Sequence, residues 1–258
     1  FIREYHLGQA SVEERLGDAM HVFLSDLPGI EFAAIIPKLN CATVCLLGDD
    51  IGKEVFDAFL ESPSVQCCLP PKEHLDEFAC NCSPRINVRG SRKPFGNRIV
   101  FVGDSGVTRL FKDGIGAAYR TAKAAARTVV FSGIGVDDFE RNFMPTCRAI
   151  RTDNTFGRLV FGITDQIKKR RFARQAVLRM IAAEQSEPHR RLRMSTVMWD
   201  MFTGSATYRE IFLRTLHPGF LARFVAANLA TVFRLPSSPL ITGSLTDSDT
   251  LEGTIGQR

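Results

Sequence analysis

The stretch from Arg98 to Phe131 constrains the fold of this chain more than any other part of the sequence. It begins with an uninterrupted apolar run that ends in Gly103-Asp104, continues through a loop of nine residues, and opens an alanine-rich segment with Gly114-Ile-Gly116. A continuous apolar run is typical of a strand that is buried on both faces. The alanine-rich segment predicts a helix over about 114–131, with Asp113 as its N-cap. We therefore expect a strand, a loop and a helix that pack together as an α/β unit.

Short apolar runs earlier in the chain predict an antiparallel sheet. These runs are separated by turn-forming residues, a pattern typical of a β-meander. They cover Met20–Ser25, Glu31–Pro37 and Ala42–Leu47. Helical spacing then predicts a helix over Ile51–Leu60. Residues 62–97 are rich in Pro, Cys and Gly and are expected to be irregular, apart from a short strand over Arg85–Val88.

Helical patterns dominate the chain from Val136 to Leu235. The clearest predicted helices run over Arg158–Lys169, Phe172–Gln185, Tyr208–Thr215 and Phe220–Arg234. After Pro236 the sequence has no aromatic residue and many Ser, Thr and Gly, a composition too polar to form a core. We therefore predict a disordered tail over 236–258.

The positive charge of the chain is concentrated in one region. The 258 residues contain 33 Lys+Arg and 28 Asp+Glu, yet Arg148 to Arg193 holds twelve basic residues and four acidic ones. The densest positions are Lys168, Lys169, Arg170, Arg171, Arg174, Arg190, Arg191 and Arg193. A solvated helical face is the favoured interpretation, and contact with an anionic membrane surface is the main alternative. Binding of nucleic acid is not expected, because the basic residues are not interspersed with aromatic residues and no known nucleic-acid-binding motif is present.

The cysteine content favours reduced thiols. The chain has seven Cys, an odd number, and no leader or apolar run long enough to span a membrane, which indicates a cytoplasmic protein. Cys67-Cys68 and Cys80-x-Cys82 form a cluster, but neither pair has the two-residue gap typical of a zinc site. We expect structural thiols and no metal. A metal or redox site at these four cysteines is kept as a minor hypothesis.

The Gly-Asp segment also suits a ligand. Ligands on open α/β sheets bind beyond the carboxyl ends of strands, and a helix start offers unpaired N–H groups. The carboxylate of Asp104 can accept hydrogen bonds from sugar-type hydroxyls. A purely structural strand–loop–helix joint is the alternative interpretation. A serine-protease nucleophile at Gly103–Gly106 is rejected because Val107-Thr108 follows it, and Gly114-x-Gly116 lacks the third glycine of a dinucleotide fingerprint.

Taken together, Arg98 to Ala126 resembles the second FAD-binding motif of FAD-dependent oxidoreductases that include aromatic hydroxylases and geranylgeranyl reductases. The resemblance implies that Gly103 and Asp104 lie against the ribityl hydroxyls of FAD. It also implies that the helix start bounded by Asp113, with the amides of Gly114, Ile115 and Gly116, faces the pyrimidine edge of the flavin. Such amides stabilise negative charge on a reduced flavin.

The same resemblance implies a fold and a division into domains. The expected fold is α/β (α+β), with an antiparallel substrate-domain sheet, a partial Rossmann-like FAD-binding domain and a helical C-terminal region. The expected parts are a sheet and irregular segment over 1–97, a partial FAD-binding segment over 98–135, a helical region over 136–235 and a tail over 236–258. The strand, Gly-x-Gly-x-x-Gly and helix that bind the ADP half of FAD in this family do not occur in residues 1–100.

The expected function is therefore that of the C-terminal part of a flavin-dependent oxidoreductase. It would need a missing N-terminal half or a partner chain, a small or lipid-like substrate and, for hydroxylation, NAD(P)H as electron donor. The alternative is a flavin-free interaction module that uses its basic helices on a membrane surface or an acidic partner.

No catalytic acid or base is identified. Arg109 and Lys112 are favoured as surface charges beside the helix start, and binding of a phosphate or a substrate carboxylate is the alternative. Trp199–Ser205 either packs a helix junction, which is favoured, or lines a lipid or substrate pocket.

Overall fold

A computed structural model describes residues 1–71, 75, 78–86, 88–186, 191 and 193–233. These residues form a mixed α/β structure with an antiparallel sheet and a helical C-terminal region. The predicted tail over 236–258 lies outside the described residues. None of the helices in the described ranges is both long and apolar enough to cross a membrane.

The described residues form a five-stranded antiparallel sheet with the order β2-β3-β4-β1-β5. Its strands are β1 (Ile2–His6), β2 (His21–Phe23), β3 (Ile30–Pro37), β4 (Cys41–Gly48) and β5 (Phe78–Cys82). The predicted meander is confirmed as β2-β3-β4. Strand β1 was not expected, and it inserts between β4 and β5 through pairings with distant parts of the chain. Arg85, Ile86 and Val88 lie outside any strand, so the strand predicted over Arg85–Val88 is wrong.

One face of the sheet is covered by short helices, which are α1 (Gln9–Arg15), α2 (Lys53–Leu60) and α3 (Pro63–Gln66). Helix α2 matches the helix predicted over Ile51–Leu60, and its apolar stripe is the reason that it packs there. Phe56 and Phe59 are 0% and 1% exposed and share a core with Ile35 and Val44 of the sheet. This core fixes the orientation of β3 and β4.

The buried strand predicted over Arg98 to Asp104 is not formed. Within this run only β7 (Ile99–Val100) is paired as a strand, and its partner is β6 (Phe95–Gly96) in a two-residue antiparallel ladder. Phe101 and Val102 are exposed, and the chain then enters a 3-10 turn over Gly103–Ser105. The apolar run reflects a preference for extended backbone, but within the described residues no strand lies beside it to complete a parallel sheet.

Helix α4 (Gly114–Phe131) has the bounds that the sequence predicts. Its N-cap is Asp113, as expected, and its small buried residues Ala117, Thr121 and Ala125 face the neighbouring elements. With β6 and the next two helices it forms a second core that contains Phe95, Phe139, Phe143 and Cys147.

The C-terminal region is helical, as predicted. Its helices are α5 (Val136–Asn142), α6 (Met144–Lys168), α7 (Arg171–Gln185), α8 (Arg193–Thr203), α9 (Tyr208–Thr215) and α10 (Pro218–Val232). A third core joins α6 to α10 and includes Leu110 from the loop before α4. The favoured solvated basic face is only partly correct, because Lys168 is buried and Arg174 pairs with Asp26.

Candidate functional site

The Gly-Asp turn is held directly against α4. Gly103 has φ +59°, and a Cβ on it would lie 3.1 Å from the Cβ of Ala118. Its amide donates to the hydroxyl of Thr121 at 2.9 Å, a buried hydrogen bond. The left-handed backbone and the close approach both favour glycine at this position. The following residue, Asp104, is therefore placed at the start of the helix.

Asp104 and Gly114, which were predicted to bind neighbouring parts of one ligand, lie next to each other. A Cβ on Gly114 would lie 3.9 Å and 4.0 Å from the two carboxylate oxygens of Asp104, with nothing nearer. Asp104 is exposed. This arrangement brings a carboxylate acceptor and the first N–H groups of an 18-residue helix to one surface.

Asp113 caps α4 from a left-handed conformation, with φ +61°. Its carboxylate accepts a hydrogen bond from the amide of Gly116 at 3.1 Å. The amide of Gly116 therefore has a protein partner, which differs from its predicted role as a donor to a ligand. In the described part of the chain, the amides of Gly114 and Ile115 have no hydrogen-bond acceptor.

The loop before α4 is fixed by a buried arginine. Arg109 is 5% exposed, and its guanidinium lies 3.1 Å from a carboxylate oxygen of Asp113 and 3.4 Å from one of Asp153. It also donates to the carbonyl oxygens of Gly204 and Ala206. Arg109 is therefore buried, so the favoured interpretation of it as a surface charge is wrong. Its guanidinium contacts protein carboxylates and carbonyl groups, which does not favour the alternative role in binding a phosphate or a carboxylate.

Asn154 holds the same loop from α6. Its side-chain oxygen accepts from the amide of Leu110 at 2.9 Å, and its side-chain nitrogen donates to the carbonyl of Thr108 at 2.9 Å. Both bonds are buried. The phenol of Tyr208 donates to the carbonyl of Leu110, and burial raises the pKa of this tyrosine well above its ordinary value. The helical region therefore fixes the backbone that leads into the candidate site.

Lys112 connects this loop to the sheet. Its amino group lies 3.3 Å from the ring centroid of Phe32 on β3, which is a cation–π contact. Burial lowers the pKa of Lys112. Phe32 in turn packs against Phe202 of α8, with ring centroids 5.2 Å apart. The loop, the sheet and the helical region therefore meet at Lys112, which was predicted either as a ligand for anions or as surface charge.

Exposed apolar side chains occur on both segments that meet at this site. Ile115 and Tyr119 of α4 are 89% and 64% exposed, and Phe101 and Val102 precede the Gly-Asp turn. Exposed apolar patches that are bordered by polar groups often mark interaction or ligand sites. This surface, the carboxylate of Asp104 and the first amides of α4 form the candidate site.

Sequence reasoning did not identify the positioning residues Asp153, Asn154 and Tyr208. A polar Asp-Asn pair in the interior of a long helical pattern was a usable signal, because such residues compete with helix backbone and favour caps and turns. Asp153 indeed accepts from the amides of Tyr208 and Arg209 and so caps α9.

Other candidate residues are separated from this site. Cys67 and Cys68 follow α3, whereas Cys80 and Cys82 lie on β5, and all seven cysteines are free thiols. Across the described ranges, no group of three or more His, Cys, Asp or Glu side chains is arranged to hold a metal ion. In the cluster Trp199–Ser205, Met201 is 2% exposed in the helical core and Ser205 donates to Asp200, as the favoured packing of a helix junction predicts, whereas Trp199 is 65% exposed and does not take part.

No family model matches this chain, and a search of curated proteins finds no significant relative.

Proposed function

We propose that this chain is the flavin-binding part of an FAD-dependent oxidoreductase. The observation that carries the proposal is the contact between Asp104 and the start of α4, where Gly114 leaves room for a ligand beside the carboxylate. A carboxylate acceptor next to unpaired helix amides suits a ligand that combines hydroxyl groups with an electron-rich edge.

The residues present fit the isoalloxazine and ribityl part of FAD. Asp104 is the acceptor for ribityl hydroxyls, and the amides of Gly114 and Ile115 are donors to the pyrimidine edge. Ile115 and Tyr119 supply apolar surface beside them. Gly103 and Gly116 act structurally, because the first packs the turn on α4 and the second donates to the N-cap carboxylate.

The ADP half of FAD needs a second contribution. The resemblance to the oxidoreductases assigns it to a glycine-rich strand–helix motif, which this proposal places in a separate segment or partner chain. The exposed apolar side chains of Ile99, Phe101 and Val102 support that assignment, because such a patch is typical of a surface that another segment covers. A partial Rossmann-like domain would be completed by this contact.

When bound, the flavin supplies the redox chemistry, and the protein supplies orientation and electrostatics. The first-turn amides of α4 and the positive end of its helix dipole stabilise negative charge on the pyrimidine edge. Asp104 fixes the ribityl chain. The buried contacts of Arg109 and Asn154 hold the loop that sets the position of Gly114. The loop also places Lys112 against the sheet, where a small or lipid-like substrate is expected, with NAD(P)H as the donor in a hydroxylase.

The test measures flavin binding directly by equilibrium dialysis and visible absorbance, with FMN and FAD as separate ligands. FMN reports on the flavin half without the adenosine contacts. Two variants probe the site, Asp104→Ala and Gly114→Ala. A Cβ on Gly114 meets no atom within 3.9 Å, so this variant is expected to fold and to lose flavin through blocked approach.

Asp137→Ala is the matched control, because Asp137 is an exposed carboxylate in the first turn of α5. We expect at least about tenfold weaker flavin binding for Asp104→Ala, since one lost hydrogen bond to a charged group costs about 1.5 to 3 kcal/mol. Gly114→Ala should also weaken flavin binding, because its methyl group blocks the approach of the ring. Flavin binding that is equal in Asp104→Ala, Gly114→Ala and the control contradicts the proposal, as does the absence of any FMN binding.

A further inference from the structure

A second surface of the molecule is independent of the flavin site. A cavity of about 270 Å³ opens beside the first turns of α8 and α10. It is lined by Arg191, Arg193, Thr196, Arg214, His217 and Phe220. Three arginines in one small cavity create a strongly positive potential, and guanidinium groups match the geometry of phosphate oxygens.

Two of the three arginines have no carboxylate partner among the residues that the structure describes. Arg214 pairs with the buried carboxylate of Asp200. Within the described ranges, Arg191 and Arg193 have no carboxylate partner. Arg193 is instead held by the ring of His217, whose Nδ1 atom lies 2.6 Å from the guanidinium and accepts from the amide of Gly219 at 3.0 Å. The cavity therefore presents a positioned cation to solvent.

An apolar stripe begins where the cavity ends. Along α10, Leu221, Val225, Leu229 and Val232 are 44%, 54%, 51% and 55% exposed. Their spacing places them on one face of the helix. Arg223 is the single charged residue of α10, and it is half-buried on another part of the helix surface. The apolar stripe of α10 thus carries no charge over about three turns, and such patches mark interaction sites.

Trp199 lies on α8 about one helical turn from the cavity. It follows Thr196 by three residues in α8, so the two side chains share a helix face, and Thr196 lines the cavity. Trp199 is 65% exposed. Tryptophan is the side chain most typical of membrane–water interfaces, because it is largely apolar yet carries one N–H donor.

We infer that this surface docks on an anionic phospholipid membrane, with a lipid phosphate in the arginine cavity and the apolar stripe of α10 in the acyl boundary. A bilayer satisfies both features at once, since its phosphates lie directly above its apolar region. A second copy of the chain would satisfy the stripe but would bring the same cationic cavity. The proposal therefore rests on charge complementarity as well as on exposed apolar area.

The inference does not depend on flavin binding, and its test needs no flavin. The full chain is mixed with vesicles of phosphatidylcholine, with and without phosphatidylglycerol, and binding is measured by co-sedimentation. Because Trp199 is the single tryptophan of the chain, its fluorescence reports directly on this surface. We expect binding and a blue-shifted emission with the anionic vesicles, and both effects should weaken at high salt.

Two pairs of substitutions separate the two halves of the surface, and each has a matched control. Arg191→Gln/Arg193→Gln is compared with Arg127→Gln/Arg148→Gln, which removes the same charge from exposed positions of α4 and α6. We expect the cavity pair to weaken partitioning by about 30-fold, the change that corresponds to about 1 kcal/mol for each arginine near an anionic surface. The control pair should show a clearly smaller change.

The apolar stripe is tested with Val225→Gln/Leu229→Gln. Its control is Leu159→Gln/Ile163→Gln on α6, which has the same spacing and matching exposures of 50% and 51%. Circular dichroism verifies folding in each variant. If folding is lost in one of the two test pairs, the other still decides the outcome.

Three results would overturn the inference. Vesicle binding that is unaffected by both test pairs places the contact elsewhere. Binding of inorganic phosphate or pyrophosphate in the cavity without any vesicle binding makes the ligand a free phosphate. A concentration-dependent dimer that dissociates in Val225→Gln/Leu229→Gln and does not bind vesicles makes the stripe an interface between copies.

Discussion

The guanidinium of Arg109 lies over the ring of Tyr208, with its central carbon 4.4 Å from the ring centroid. Both side chains are buried, and they belong to parts of the chain about a hundred residues apart. The cation–π contact adds to the ion pairs with Asp113 and Asp153. The start of α4, and hence the candidate site, is therefore held by the C-terminal helical region.

Replacing Arg109 with Met is expected to destabilise the protein by about 3 to 5 kcal/mol. The substitution removes the buried cation from Asp153 and from two carbonyl groups, and it leaves Asp113 with only the exposed Arg120. Arg120→Met is the control, because Arg120 also pairs with Asp113 but is 45% exposed, and exposed pairs contribute up to about 1 kcal/mol. Urea denaturation measures both effects. Equal losses in the two variants would show that burial of Arg109 is unimportant.

Asn154→Ala is expected to cost about 2 to 3 kcal/mol. It leaves the buried amide of Leu110 and the buried carbonyl of Thr108 without partners, and unsatisfied buried groups carry the full cost of desolvation. Asn142→Ala is the comparison, since Asn142 makes an exposed hydrogen bond to the carbonyl of Asp138. The free energies of unfolding of the two variants should differ by more than about 1 kcal/mol, and a smaller difference would contradict this account of the loop.

Two glycines of α4 should respond differently to alanine. A Cβ on Gly116 would lie 2.0 Å from a carboxylate oxygen of Asp113 and would displace the N-cap, whereas Gly114 has room. Both substitutions replace glycine by alanine in the first turn of the same helix. The difference between their free energies of unfolding therefore measures the contribution of the N-cap contact. Loss of an N-cap contact costs about 1 kcal/mol, and we expect Gly116→Ala to be less stable than Gly114→Ala by at least that amount. Thermal unfolding of both variants checks this order.

The sequence predicts α4 well because the signals that define it are local. Its cap, its glycines and its alanine run all lie within about twenty residues of each other. The strand predicted from Arg98 is wrong because its burial is not determined by local sequence. An apolar run specifies extended backbone, but its burial depends on neighbouring strands that its own sequence does not specify.

Long-range contacts explain the remaining differences. Successive side chains of strand β1 point to opposite faces of the sheet, as in any strand. Its place between β4 and β5 depends on partners that are about 40 and 80 residues away. Arg109 is adjacent to the candidate site in sequence, yet its burial depends on Asp153 and on the segment around Tyr208. The sequence could place Asp104 and Gly114 on either side of one loop. It could not predict the contacts of Arg109 and Asn154 that hold this loop.

Stability should fall with alkaline pH because of Cys147. This thiol is 0% exposed among Phe139 and Phe143, and burial raises its pKa from 9.0 to about 11. Between these values the unfolded chain has lost a proton that the folded protein retains, so the free energy of unfolding decreases as pH rises. Two pKa units correspond to roughly 2 to 3 kcal/mol.

Cys147→Ala separates this contribution from other alkaline effects. The substitution lowers stability at every pH by leaving a small cavity, but it should flatten the slope between about pH 9 and pH 11. Chemical denaturation of both proteins at several pH values measures the two slopes. Identical slopes would mean that Cys147 ionises as readily in the folded protein as in the unfolded chain.

The last prediction concerns Lys168, which connects the end of α6 to the sheet. Its side chain is 5% exposed, its amino group donates to the carbonyl of Ile30 at 2.5 Å, and the carboxylate of Glu31 lies 3.8 Å away. Lys168→Met keeps most of the buried methylene stem but removes the donor, so the carbonyl of Ile30 loses a charge-assisted hydrogen bond. We expect a loss of about 2 kcal/mol.

Lys169→Met provides the matched control, because Lys169 is 62% exposed and pairs with Asp165 on its own helix. Exposed pairs of this spacing contribute about 0.3 to 0.5 kcal/mol, so the control should be nearly neutral. The comparison also tests how the basic residues around position 168 are interpreted. Lys168 is assigned a buried contact with the sheet, whereas its neighbour Lys169 is assigned to the solvent-exposed surface. If Lys169→Met is the more destabilising substitution, the run is a charged surface and Lys168 does not join the helical region to the sheet.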